Sequence, residues 1–436
     1  MNPCFETATR LARAIRNGRL SSVEATRAHL DRIARVNGPL KALVLVDEAG
    51  AMKAARAADR ARGRKKDLPA LHGVPITIKE AFDVAGLRTT SSHPPLANNV
   101  AREDASIVAR LRAAGAVVLG KTNVPELCAD FQTDSPIFGT TINPWDERRT
   151  AGGSTGGGGV AVAARLSPLE LGSDIGGSVR NPAHYNGIFS LKPTEWRVPS
   201  REAAPVPLGP TPKLTAKGLR IAVLAGNPLV PVSADTASVV EATAKLLSKA
   251  GARVKHAQPE HLDWQQGWDD WSDLFQYMIV NAQPLAARER KFGKVDSPDP
   301  TARSVARAAR LDMAQFFAVL DRRDRIVRQC ESFLDEYDAW LMPVMPHAAF
   351  VRQSQRQPLR IDGVDHPYFF AGTAYNFQAN LTGQPSIVLP CGFSKEGLPI
   401  GLQLTGKRWG EAKLLGVAKV LEKLLPPCPV PPSFAS

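Results

Sequence analysis

Apolar positions in this chain switch between a helical and a strand-like spacing, and the switches mark out its elements. Ser21-Ser22-Val23-Glu24 reads as a capping box, and Ala25, Leu30, Ile33 and Val36 follow at helical spacing until Asn37-Gly38, where the helix is expected to stop. Residues 42–46 (ALVLV) predict a buried strand, and 48–62 an alanine-rich, basic, peripheral helix. Residues 73–79 (GVPITIK) form a β-branched run that ends on Lys79. Asp104 is expected to cap a helix over 104–114, with Gly115 ending it and a strand at 116–119. From Lys121 to Thr150 the chain is rich in turns, as active-site loops at a sheet edge often are. Residues 218–224, 234–250 and 252–255 read as a β-α-β unit, 262–340 as mostly helical, WLMPVMP as strand-like. Residues 385–404 read as two strands around a Lys-Glu-Gly turn, and 411–424 as a closing helix. Helix followed by apolar strand, repeated, predicts an α/β fold with helical layers on both faces of the sheet. The proline-rich REAAPVPLGPTPKLT segment is a linker or long surface loop, and one domain over residues 1–436 fits best.

Residues 152–193 stand apart from this rhythm. They contain two glycine-flanked serines, Ser154 in GGSTGG and Ser178 in DIGGSVR. Flanking glycines remove Cβ bulk and allow positive φ, so another group can approach each hydroxyl closely. Ser178 also opens an expected helix over 178–184, whose free amides could hold an anion or an oxyanion. The plain alternative is a pair of flexible or phosphate-cradling loops. A phosphate loop needs a lysine after its glycines, and here Val160-Ala161 follows. A dinucleotide fingerprint lacks its strand, helix and acidic partner. G-x-S-x-G is absent, and none of the eight histidines sits at a metal-like spacing from an acid.

A serine nucleophile without histidine needs another base, and a desolvated, neutral lysine can serve. Lys79, at the end of an apolar strand, meets that demand better than any other lysine, although a lysine there could also snorkel to the surface. A second serine hydroxyl, both donor and acceptor, could relay the proton between them. Lys79, Ser154 and Ser178 thus take the roles of base, relay and nucleophile.

Composition narrows the class without naming the chemistry. The 436 residues are 44% hydrophobic and 22% charged, ordinary for a globular protein. Cys4, Cys128, Cys330, Cys391 and Cys428 form no CxxC pair, and the first residues lack the apolar core of a secretory signal, so a soluble, cytoplasmic protein with no membrane partner is expected. The net charge of +13 raises nucleic acid as a partner, with clusters at Arg62-Gly63-Arg64-Lys65-Lys66 and Arg322-Arg323-Asp324-Arg325. Aromatic residues are only 6% and no nucleic-acid module surrounds the clusters, so an arginine-rich surface is the better reading.

The set GVPITIKE, LGKTNVPE, GGSTGG, LGSDIGGSVRNPA, LKPT, and NLTGQPS with GLPIGLQL resembles the amidase signature family in order and spacing, over residues 72–424. The resemblance implies a central mixed sheet covered by helices on both faces and hydrolysis of carboxylic amides without metal or cofactor. It carries the family's serine–cis-serine–lysine triad onto Ser178, Ser154 and Lys79, and the oxyanion hole onto the amides of Ile175, Gly176, Gly177 and Ser178. Cys128 matches a position that contributes to substrate binding in some members, and Asp174 with Arg180 would brace the loop. A small-molecule amide is the implied partner; a homodimer is a possible assembly. Glu80, Thr155 and Ser190 depart mildly from the family's usual residues, and the segment near 197–217 is shorter than the family's. The glutamyl-tRNA amidotransferase chain of the same family, which works with partner chains, and a non-catalytic protein of the same fold are the alternatives.

Overall fold

Strand residues in this protein divide their side chains between two cores, and that division builds the layers. In the computed structural model, which describes residues 2–63, 67–198, 208–294, 297–353 and 357–435, the strands fall into two main sheets. Arg64, Lys65 and Lys66 of the first basic cluster, and residues 201–207 of the proline-rich segment, lie outside the described residues. The smaller sheet joins β1 (Leu43–Val46), β2 (Pro75–Lys79), β3 (Val117–Thr122) and β4 (Glu170–Leu171) in the order β1-β3-β2-β4. Here β2 runs parallel to both its neighbours, and β1 is antiparallel to β3. The larger sheet joins β5 (Ser190–Lys192), β6 (Arg220–Val223), β7 (Arg253–His256), β8 (Ala339–Pro343), β9 (Ser386–Phe393) and β10 (Pro399–Thr405), in the order β5-β9-β10-β8-β6-β7. It is mixed: β6 is parallel to β7 and β8, while β10 is antiparallel to β8 and β9.

The period of two along each strand decides which helices cover which face. Ile221, Val223, Ala339 and Leu341 pack under the helices Ala234–Lys249 and Glu411–Leu424. Their neighbours Ala222, Trp340 and Met342 turn to the opposite core, beneath Trp264–Val280 and Met313–Glu336. In the smaller sheet Ile76, Ile78 and Val118 pack with Val108 on one face, and Leu43, Val117 and Leu119 pack with Val160 on the other. The α/β class and the helical cover on both faces therefore hold, with the ladder divided between two sheets. No helix among the described residues is long and apolar enough to cross a membrane.

Local signals decide several boundaries differently from the sequence expectation. The capping box at Ser21 and Glu24 forms, but the helix Ser22–Leu40 continues past Asn37-Gly38. Asn37 uses its side-chain amide to hold Leu43 at the start of β1, with both bonds at 2.8 Å, and left-handed Lys41 ends the helix instead. Asp104 is not the cap of this helix: it accepts the Ala85 N–H at 2.8 Å and pairs with Arg112, and the helix runs over Ser106–Ala113 with Ala105 at its N-cap. β3 runs on to Thr122 because it pairs with β2 as far as Lys79.

The helix Gly156–Ala163 sits unusually close to the smaller sheet. A Cβ on Gly157 would lie 2.3 Å from the Asn123 amide nitrogen and 2.6 Å from the Ala42 carbonyl oxygen, both backbone atoms that cannot turn aside. Gly157→Ala is expected to destabilise the fold by about 3 kcal/mol, the cost of overpacking a rigid core. Urea denaturation of the purified variant against wild type measures it.

Candidate active site

The alternation that sends Ile76 and Ile78 into the core turns Thr77 and Lys79 to the other face of β2, toward the helix Gly156–Ala163. Lys79 ends the strand with 0% of its surface exposed, so it does not snorkel. Its Nζ lies 2.6 Å from Ser154 Oγ and 2.9 Å from Ser173 Oγ. Burial pushes the Lys79 ammonium below its ordinary value, while Cys128, Asp174 and Glu170 pull the other way. The two hydroxyls can accept from the nitrogen when it is charged and donate to its lone pair when it is neutral, so both charge states are satisfied, which is the environment a general base needs.

Ser154 is 1% exposed and follows a cis Gly153–Ser154 peptide. Gly152 has φ 79°, a conformation that favours glycine, and its carbonyl accepts the Thr133 hydroxyl at 2.8 Å. A Cβ on Gly153 would stand 2.4 Å from the Asp130 carbonyl oxygen. The two serine segments are stitched together: the Thr155 N–H donates to the Ser178 carbonyl at 3.0 Å.

Ser178 is 7% exposed and sits in a turn organised by a carboxylate. Asp174 accepts the N–H groups of Gly177, Val179 and Arg180 at 3.0, 3.1 and 3.3 Å, and takes Arg180 Nε and Nη2 at 3.0 and 2.9 Å. Asn380 Nδ2 adds a further bond at 3.0 Å. Burial raises the Asp174 carboxyl, but Arg180 and Asn380 outweigh it and hold the group well below the usual carboxylate range. This turn delays the helix to Arg180–Asn186, seven residues that begin after Ser178 rather than at it. Gly177 commits its amide to Asp174, whereas Ile175, Gly176 and Ser178 donate to no protein acceptor among the described residues.

Cys128 is half-buried in a short turn where Leu127 and Cys128 both have positive φ, 51° and 57°, and it lies near enough to Lys79 to act on its protonation. Two residues that the sequence reading did not single out also belong to this neighbourhood. Ser173 stands inside the quoted LGSDIGGS motif, and its bond to Lys79 needed the fold to appear. Trp271, on the helix Trp264–Val280, donates Nε1–H to the Ile175 carbonyl at 3.2 Å and stacks on Phe275 and Phe369 at 12° and 16°. A cavity of about 1810 Å³ adjoins the site, with Thr155, Ser173, Ile175, Trp271 and Phe275 in its wall. Lys79, Ser154 and Ser178 do not line it, so this space flanks the serines rather than enclosing them.

The family described as Amidase matches residues 24–213 and 208–415. The chain belongs to the amidase family. The two matched stretches meet inside the shortened segment expected near 197–217. An indoleacetamide hydrolase of Bradyrhizobium diazoefficiens is 33% identical over 94% of this chain and 85% of that one. The glutamyl-tRNA(Gln) amidotransferase A chain of Roseiflexus castenholzii is 32% identical over 97% of both. Among solved structures, 6-aminohexanoate cyclic dimer hydrolase complexed with substrate superposes with a TM-score of 0.80 at 26% identity, over 99% of this chain and 100% of that one. Amidase membership makes this protein an amide hydrolase.

The Asp174–Arg180 pair is fully enclosed, and removing one member strands the other charge. Asp174→Asn and Arg180→Met are each expected to destabilise the protein by about 3–5 kcal/mol, and the double variant by less than their sum. A double-mutant cycle on denaturation midpoints reads this directly.

Proposed function

We propose that the protein hydrolyses a carboxylic amide through an acyl-enzyme on Ser178. The observation that carries this reading is the fully buried Lys79 with its nitrogen 2.6 Å from Ser154 Oγ. Neutral Lys79 takes the Ser154 proton as Ser154 takes that of Ser178, whose oxygen attacks the amide carbon. The amides of Ile175, Gly176 and Ser178 hold the oxyanion. Gly177, expected as a fourth donor, instead fixes the turn through Asp174. Ser154 returns a proton to the leaving ammonia or amine, and water then releases the acid from Ser178. The stacked Trp271, Phe275 and Phe369 beside Ile175 favour an aryl or other apolar acyl group, and Cys128 contributes to substrate binding from the Lys79 side.

A second reading, the corresponding chain of a glutamyl-tRNA amidotransferase, draws on relatives of that name at 28–32% identity along nearly their whole length. The two separate on whether the chain works alone. Purified protein without partners, given aliphatic and aromatic amides, is expected to release ammonia or amine, fastest from aryl-bearing substrates. Ser178→Ala and Lys79→Ala should each lower kcat/KM by about 10³-fold or more, as removal of members of a cooperating set does. Undiminished turnover in Ser178→Ala would sink the mechanism, and activity that requires added partner chains would favour the second reading.

The pH dependence follows from the direction of the Lys79 shift. The free enzyme must hold Lys79 neutral, so kcat/KM should fall as pH drops through its pKa. Because that pKa lies below an ordinary lysine's, the acidic limb should appear at lower pH than for an unperturbed amine. A limb at the ordinary lysine position would remove Lys79 from the role of base.

A further inference from the structure

Glu170 is a carboxylate of the smaller sheet set close enough to Lys79 to act on its charge. It opens β4, in register with Thr77 of β2, and so lies on the same face of the sheet as Thr77 and Lys79. Its side chain crosses β2 to reach β3, where Oε1 accepts the Thr122 hydroxyl at 2.6 Å. Thr122 is the direct register partner of Lys79. A side chain that runs from the strand beside Thr77 to the partner of Lys79 crosses β2 on the face that Lys79 occupies. Its second oxygen, Oε2, is enclosed and has no hydrogen-bond partner among the described residues; nor does the Oγ1 of Thr77.

The helix above leaves room for this carboxylate. A Cβ on Gly158 would stand 2.5 Å from Glu170 Cγ and 2.6 Å from Oε1, so glycine at 158 leaves room for Glu170 to lie as it does. Thr77 and Lys79 from β2, Thr122 from β3 and Gly158 from the helix Gly156–Ala163 face it, and Lys79 is the charged group among them. Burial pushes the Glu170 carboxyl up to about 7, against the pull of the Thr122 hydroxyl and of Lys79.

We propose that Glu170 is a positioning residue that acts through Lys79, supplying the counter-charge for the ammonium formed when Lys79 accepts the serine proton. This rests on Lys79 being the base. No bond to Glu170 forms or breaks: the proton moves from Ser178 to Ser154 and from Ser154 to Lys79, and the carboxylate stabilises the lysine's charged form electrostatically. In the free enzyme the same carboxylate works against the neutral form of Lys79, so the pair sets where the acidic limb of the activity falls.

Glu170→Gln keeps the shape and removes the charge. It is expected to move the acidic limb of kcat/KM to lower pH by about one unit and to reduce kcat about tenfold, with KM within about twofold. A pH profile that superimposes on wild type overturns the proposal. Infrared titration of the Glu170 carboxyl, taken as wild type minus Glu170→Gln, provides a readout that does not depend on turnover. Replacing Lys79 by Met should shift that titration to higher pH; an unmoved midpoint overturns the coupling. If the wild type hydrolyses no amide, or Lys79→Ala stays active, the hydrolytic reading fails while the carboxyl titration still decides whether Glu170 and Lys79 are coupled.

Discussion

Taking an ammonium out of water is the constraint on which this structure turns. A lysine at the end of an apolar strand, fully enclosed, loses its hydration and must be paired, hydrogen-bonded or neutral. Lys79 meets the requirement with two serine hydroxyls and a shifted protonation equilibrium. Every close approach nearby serves that enclosure. The helix Gly156–Ala163 comes down on the sheet at its glycines, and the Gly152–Ser154 turn presses against the Asp130 backbone. The bond from Thr155 to Ser178 ties the second serine segment to the first. Residues distant in the chain are brought to one nitrogen because β2 and its parallel neighbours end together.

A second enclosed charge does different work. Asp174 neutralises Arg180 and at the same time gathers the amides of Gly177, Val179 and Arg180 into a turn. The guanidinium continues outward to the Asn376 carbonyl and to Gln403 of β10, so the serine turn at the smaller sheet's edge is anchored to the larger sheet. The amides of Ile175, Gly176 and Ser178, which meet no protein acceptor among the described residues, belong to this same turn. Oriented dipoles that need no rearrangement are worth more to a developing negative charge than the same groups in a flexible loop.

Much of this was legible in the residues. The glycine-flanked serines, the lysine ending GVPITIK and the order of the motifs singled out Ser154, Ser178 and Lys79, and the two-to-helical switching of apolar spacing located most elements, the closing helix Glu411–Leu424 with its bounds intact. What the residues did not disclose was pairwise geometry. Asn37 reads as a helix stop, yet it bonds to Leu43 across a turn. Asp104 reads as a cap, yet it is engaged by Ala85 and Arg112. Glu170 carries no signal in the sequence, and only the register of β4 on β2 turns it inward. Ser173 and Trp271 carry no local signature either, since their contacts come from segments far away in sequence.

The fit of Gly158 against Glu170 also ties the helix to the edge of the smaller sheet. A Cβ at 158 would meet only side-chain atoms of Glu170, so a larger residue there would have to swing the acid away from Thr122 before it could be seated. A change on the helix would in this way be felt on β3, two strands away from Glu170, without any backbone having to move.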